Sequence, residues 1–275
     1  MDVQKGAPVG IFDSGVGGLS VLRVIRQQLP AQPVIFLGDQ IHVPYGPRTL
    51  EEVRAFAEEV TRFLLRQGAG MVVVACNAAS AASLYHLRQV FPQVPFVGME
   101  PAVKPAAETT RSKVVGVLAT PATFQGALYA SVVERFAQDV RLMQSTCPGL
   151  VQAIEAGELN SPGTRAILTR ALEPMLAEGI DTVVLGCTHY PFVIPLIQEI
   201  AGPGVRVIDP APAVARQTGR VLQARGLLAE GNRLAPVRFF TSGDPQALAA
   251  LLPVMLGETA PVEQVIWTGG KLEIV

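Results

Sequence analysis

The chain has 275 residues, 49% of them hydrophobic, with 22 Lys plus Arg against 23 Asp plus Glu and a formal net charge of −1. That composition supports a substantial core in one large or two modest α/β domains, and its charge balance disfavours nucleic acid as a partner. The opening MDVQKGAPVG lacks the apolar stretch of a signal peptide, and the purest apolar run, residues 71–76, is far shorter than the roughly 20 residues a bilayer requires, so no membrane partner is expected.

Taken in chain order, short β-rich runs at 8–12, 34–37, 71–75, 96–97, 113–118, 140–143, 182–186, 205–208, 237–240 and 264–266 alternate with helical patterns. One pattern is the apolar stripe Leu50, Val53, Phe56, Ala57, Val60 and Leu64, which recurs at helical spacing. Thr49 followed by Glu52 has the spacing of a capping box for that helix. Such alternation predicts an α/β fold of parallel sheets covered by helices. Ligands in such folds sit beyond the C-terminal ends of the strands, so the residues just after strands are the ones to inspect.

The chain also repeats itself. VGIFDS at 9–14 returns as VGVLAT at 115–120, VVVACN at 72–77 as VVLGCT at 183–188, and MEPA at 99–102 as IDPA at 208–211. Three matches in one order at nearly one offset predict two pseudo-symmetric α/β domains facing each other across a cleft. The first is expected to take residues 1–98 and 213–275, the tail returning to it through the run at 237–240. The second takes residues 99–212.

Of the three cysteines, Cys76 and Cys187 occupy equivalent places in the two repeats, each after a β-rich run and before a polar residue. The three are too few and too widely spaced for a disulfide framework or a zinc pattern, and reduced thiols fit a cytoplasmic protein. A free cysteine alone is as often a small buried residue as anything else. A repeat-related pair is different. Both cysteines are expected at helix starts, which favour the thiolate. Inverting a carbon centre requires an ionised group on one face and a protonated group on the other, and cysteine can serve as either near neutral pH. A pyridoxal phosphate mechanism would need a Schiff-base lysine, yet none of Lys5, Lys104, Lys113 and Lys271 follows a predicted strand as the cysteines do.

DSGVGG at 13–18 follows the first strand. Ser20 stands where a dinucleotide fingerprint needs glycine, and there is no phosphate loop. The backbone N–H groups of such a turn could still hold a carboxylate. Asp13 is either a turn former or N-cap or an assistant to Cys76. His189, two residues beyond Cys187, could orient that thiol or share its proton; His42 and His86 have no such setting. Glu155 lies on a helical pattern and by composition reads as a solvated charge.

FDSGVGGL at 12–19, GDQIHVPYGPR at 38–48, ACNAAS at 75–80, ATPATF at 119–124, GCTHYP at 186–191 and FFTSGD at 239–244 together closely resemble glutamate racemase over nearly the whole chain. The resemblance implies interconversion of L- and D-glutamate without cofactor or metal, supplying D-glutamate for peptidoglycan, by a cytoplasmic homodimer. It implies Cys76 acting on the D-enantiomer and Cys187 on the L-enantiomer, assisted by Asp13, His189 and Glu155. Substrate contacts are implied at Asp13, Ser14, Tyr45, Gly46, Asn77, Ala78, Thr120, Thr123, Thr188 and His189, while Cys147, in a TCP segment, is expected to pack. Ala78 departs from the threonine usual in the family. Little changes if the backbone N–H makes the contact there, whereas loss of a hydroxyl contact to a charged group would cost roughly 1.5–3 kcal/mol. The short segment before the first strand leaves no room for the extension of members activated by a cell-wall precursor, so no such regulation is expected. Two alternatives stay open: a racemase of another acidic amino acid such as aspartate, and a catalytically silent two-lobed amino-acid-binding protein.

Overall fold

A computed structural model describes residues 4–275, which divide into two compact units, residues 4–99 with Ala211–Val275, and Glu100–Pro210. The joins fall at 99/100 and 210/211, where the repeat had placed them at 98/99 and 212/213. In the first unit the chain runs through β1 (Val9–Asp13), α1 (Leu19–Gln28), β2 (Val34–Gly38), α2 (Leu50–Arg66), β3 (Met71–Val74), α3 (Asn77–Val90) and β4 (Phe96–Gly98). The second unit follows with α4 (Val103–Thr109), β5 (Val114–Ala119), α5 (Pro121–Gln125), α6 (Ala127–Phe136), β6 (Arg141–Ser145), α7 (Leu150–Glu155), α8 (Pro162–Ala177), β7 (Thr182–Gly186), α9 (Ile194–Ala201) and β8 (Arg206–Ile208). The tail adds α10 (Ala211–Ala224), β9 (Val237–Thr241), α11 (Pro245–Leu256), β10 (Val262–Thr268) and β11 (Lys271–Ile274) to the first unit.

The first sheet has the order β11-β10-β9-β2-β1-β3-β4 and the second β6-β5-β7-β8. All neighbours are parallel except the β10–β11 hairpin. The order β2-β1-β3-β4 is therefore repeated as β6-β5-β7-β8. Register repeats with it: Val9 pairs with Met71 as Val115 pairs with Thr182, the correspondence read from the sequence repeats. In both units the strand order reverses beside the first strand of the repeat, and the mouth of the sheet at such a reversal is where α/β folds bind ligands.

Strands β1, β2, β3 and β7 are buried at every position, as expected of parallel strands covered on both faces. Helix α1 packs on α10 and α11, and α2 on α3. Phe12, Phe36, Phe63, Phe239 and Phe240 lie fully buried in this unit, each worth about 1.5–3 kcal/mol relative to exposure. In the second unit Val115, Val117, Val184, Ala106 and Tyr129 share one core. The Thr49–Glu52 capping box is formed in both directions at the start of α2. The hairpin strand β11 was not expected from the sequence; its turn uses Gly269 and Gly270, both at positive φ, as tight hairpin turns require.

The turn after β1 is crowded. A Cβ on Gly18 would lie 2.8 Å from Asp13 Cβ and 3.1 Å from Phe36 Cε2, so neither wall is the free end of a flexible chain. Gly18→Ala should therefore destabilise the protein by about 1–3 kcal/mol, the usual cost of overpacking. Urea denaturation tests this, and an unchanged midpoint and slope would contradict the packing described.

Candidate active site

Each unit presents one cysteine at the C-terminal end of its reversal-point strand. In the first, Cys76 follows β3 and is the N-cap of α3, its sulfur accepting a hydrogen bond from Ala79 N at 3.5 Å. The first N–H groups of a helix have no intrahelical partner, and they carry the positive end of its dipole. Sulfur at that point is favoured as thiolate. The thiol also lies 3.9 Å from Ser14 Oγ, to which it donates. Across the reversal, Asp13 ends β1 and is fully buried. Its Oδ2 accepts from Gly18 N at 2.9 Å and Gly15 N at 3.3 Å, so Asp13 organises the glycine-rich turn while standing within the same mouth as Cys76.

Asn77, the first residue of α3, is buried, yet neither atom of its side-chain amide has a hydrogen-bond partner. Leaving a buried polar group unpaired costs about 1–3 kcal/mol, so a buried primary amide with both atoms open is the mark of a polar ligand site. Ala78, beside it in the first turn, is also buried. It has only a methyl side chain, so any polar contact it makes to a ligand must come from its backbone. Tyr45, after the cis Val43–Pro44 peptide, is buried within electrostatic reach of Cys76 and Asp13. Burial, then the negative charge of Asp39, Cys76 and Asp13, push its phenol well above the usual tyrosine value. Gly46 follows it in the same loop.

In the second unit Cys187 follows β7 and is buried, as are Thr188 and His189. Cys187 Sγ lies 3.7 Å from His189 Nδ1, and His189 Nε2 lies 2.6 Å from Glu155 Oε1 at the end of α7. Burial pulls the His189 pKa down, but its bonds to Cys187 and Glu155 and their charges outweigh burial and hold it well above the usual histidine value. Both ring nitrogens are thus engaged, Nδ1 toward Cys187 and Nε2 toward Glu155. Glu155, read by composition as a solvated charge, is instead largely buried against His189. Thr120 Oγ1 and Thr123 Oγ1 are 3.2 Å apart after β5, and Thr123 donates to Gly186 O at 3.3 Å, beside Cys187. Cys147 is buried at φ 44, a left-handed conformation uncommon for a residue with a side chain. Burial pushes its thiol up to about 11, with the charge of Cys187 adding to it, so Cys147 remains a neutral thiol.

The structure thus gathers Asp13, Ser14, Tyr45, Cys76, Asn77 and Ala78 in one unit and Thr120, Thr123, Glu155, Cys187, Thr188 and His189 in the other. It also shows residues that sequence reasoning passed over, above all Asp39, buried after β2 and bonded to Tyr45, His42, Ser242 and Trp267. The rule that singled out Asp13, the polar residue at a strand's C-terminal end, applies equally to Asp39. Among the described residues no group of His, Cys, Asp and Glu could hold a metal ion, no helix is long and apolar enough to cross a membrane, and the four lysines are exposed.

Comparison with known proteins bears on these two cysteine settings. The model of the family described as Asp/Glu/Hydantoin racemase matches residues 9–218. The chain belongs to that family. Glutamate racemase of Stutzerimonas stutzeri is 53% identical over 257 residues, covering 94% of this racemase and 97% of the relative. The crystal structure of a glutamate racemase from Bacillus anthracis superposes with TM-score 0.84 at 33% identity, over 95% of this chain and 98% of the other. That of Escherichia coli glutamate racemase, in complex with L-glutamate and the activator UDP-MurNAc-ala, gives TM-score 0.82 at 30% identity, over 98% and 99%.

The raised His189 pKa has a defined consequence for the racemase. Because the folded value lies above the unfolded one, the stabilisation is fully present below the unfolded pKa, about 6.5, and is lost as pH rises through the folded value. Glu155→Gln removes one of the two anions that raise it. NMR titration of the His189 ring should show imidazolium persisting well above pH 6.5 in the wild type and titrating at lower pH in E155Q. Identical titrations in the two proteins would refute the coupling.

Proposed function

We propose that this protein is a glutamate racemase that interconverts L- and D-glutamate by two-thiol acid/base proton transfer at the α-carbon, without a cofactor, and so supplies D-glutamate for peptidoglycan. The observation that carries the reading is the matched pair: one buried cysteine at the same strand end of each repeat, Cys76 after β3 and Cys187 after β7. Glutamate as substrate is supported by relatives of that name aligned over nearly the full chain.

Racemisation needs one group to remove the α-proton and a second to return a proton to the opposite face. From D-glutamate, Cys76 as thiolate takes the proton, its charge held by the α3 N-terminus, and Cys187 as thiol donates to the other face. From L-glutamate the roles reverse, and Cys187 becomes the thiolate. The His189 imidazolium, held by Glu155, stabilises that thiolate and can restore its proton. Asp13 assists Cys76. Substrate charge falls to the Asn77 amide, the first-turn N–H groups at Asn77 and Ala78, the turn at Ser14, the loop of Tyr45 and Gly46, and Thr120, Thr123, Thr188 and His189. Fixed donors of this kind stabilise the anion formed when the α-proton leaves. Three unpaired cysteines support a reducing, cytoplasmic setting; the homodimer rests on the resemblance alone.

The test is racemisation of each glutamate enantiomer by the pure protein, followed by circular dichroism, with aspartate as the competing substrate. Cys76→Ala and Cys187→Ala should each lose at least about 10²–10⁴-fold in kcat, the range of a positioned acid or base, while keeping the fold. Full activity in either variant would refute the two-thiol mechanism, and a higher kcat/KM for aspartate would move the substrate assignment.

A further inference from the structure

The first unit holds a second buried carboxylate for which the proton transfer has no use. Asp39 follows β2 directly and is fully buried. Its Oδ1 accepts from Ser242 Oγ at 2.7 Å and from Trp267 Nε1 at 2.8 Å. Its Oδ2 accepts from Tyr45 Oη at 2.7 Å and from His42 Nδ1 at 2.8 Å. Four donors fill the lone-pair positions of one carboxylate. They come from three separated stretches: the loop after β2, the residue after β9, and β10.

The arrangement ties the loop at several points. Ile41 N donates to Ser242 Oγ at 3.1 Å. The His42 ring stacks on Phe56 of α2 with centroids 4.0 Å apart and meets Trp267 edge-on at 5.2 Å. Burial pushes the Asp39 carboxyl up, but the bonds from His42, Tyr45 and Ser242 outweigh it and keep it ionised. A saturated carboxylate has nothing left to offer a substrate, so its work is done on its donors. Tyr45 has a single phenolic proton, and Asp39 takes it. Toward Cys76 and Asp13 the phenol oxygen therefore presents only lone pairs, and its position is set by a carboxylate that the tail of the chain holds still.

We propose that Asp39 is a positioning residue of the racemase, its carboxylate fixing the turn at Tyr45 and Gly46 for substrate binding beside Cys76, with Ser242 and Trp267 fixing Asp39 in turn. The proposal rests on the glutamate racemase reading, through the substrate contacts assigned there to Tyr45 and Gly46. Asp39→Asn replaces one acceptor oxygen with an amide that points its own hydrogens at two donors. The thiols are untouched, so the effect belongs in KM.

Kinetics on glutamate should show KM raised about tenfold or more in D39N with kcat within about threefold, the pattern of lost substrate positioning rather than lost chemistry. Trp267→Phe, which removes one spoke, should raise KM by a smaller factor, and D39N should add little in a Tyr45→Phe background, since residues acting through one another are non-additive. Trp267 is the only tryptophan, so its emission should shift in D39N. A role confined to stability would lower the denaturation midpoint and leave KM of the folded enzyme unchanged. Wild-type KM in D39N, or in W267F where D39N does not fold, overturns the proposal, as does unaltered Trp267 emission in folded D39N. A wild-type protein that does not racemise glutamate overturns the functional reading as well, which separates the two failures.

Discussion

The hydrogen bond from Ala79 N to the Cys76 sulfur expresses the constraint on which this protein depends: a thiol must sit where a parallel strand ends and a helix begins. At that point the backbone supplies unpaired N–H groups and a positive dipole end, and the sheet around it excludes water. Several residues later a cysteine would ride on the flank of α3 rather than at its start. The largely buried strands β1, β3, β5 and β7 bring two such ends to the mouths of their sheets. The repeated order and register of the two sheets mean that one solution has been used twice.

The two cysteine settings then diverge in how charge is managed. Beside Cys187 stands His189, its Nδ1 toward the sulfur and its Nε2 bonded to Glu155. Beside Cys76 stand the helix start, Ser14, and an aspartate whose Oδ2 carries the glycine-rich turn. A reaction that runs in both directions needs each thiol to serve as acid and as base, but nothing requires the two to be tuned by the same neighbours. The first unit carries in addition a carboxylate, Asp39, which ties the loop after β2 to Ser242 and Trp267.

Much of this was legible in the sequence, because parallel strands buried on both faces read as unbroken apolar runs and their ends are marked by the first polar residue. The runs that begin the strands at Val34, Met71, Thr182 and Val237 start where the strands start, and the repeats carried the β1–β3 and β5–β7 registers with them. The hairpin strand β11 was missed although the Gly269–Gly270 turn signalled it, because Lys271 and Glu273 beyond the turn look like an exposed tail. Glu155 was named by resemblance alone and Asp39 not at all, for a different reason. Glu155 bonds a residue 34 positions on, and two of the four partners of Asp39, Ser242 and Trp267, lie 203 and 228 positions on, and composition can only describe an isolated carboxylate as solvated. Such groups become readable once the topology has closed around them.

The central claim is that two different thiols address the two faces of one carbon, and the most direct measurement of it is the fate of solvent deuterium. With D-glutamate in D₂O at low conversion, a proton removed by one cysteine and replaced by the other puts deuterium at the α-carbon of the L-glutamate formed, while the D-glutamate recovered remains largely unlabelled. A single group working on both faces would return label to the starting enantiomer as readily as to the product. Mass spectrometry of the separated enantiomers decides between them: label confined to the product enantiomer, in both reaction directions, is the predicted result, and equal labelling of substrate and product at early times would contradict it.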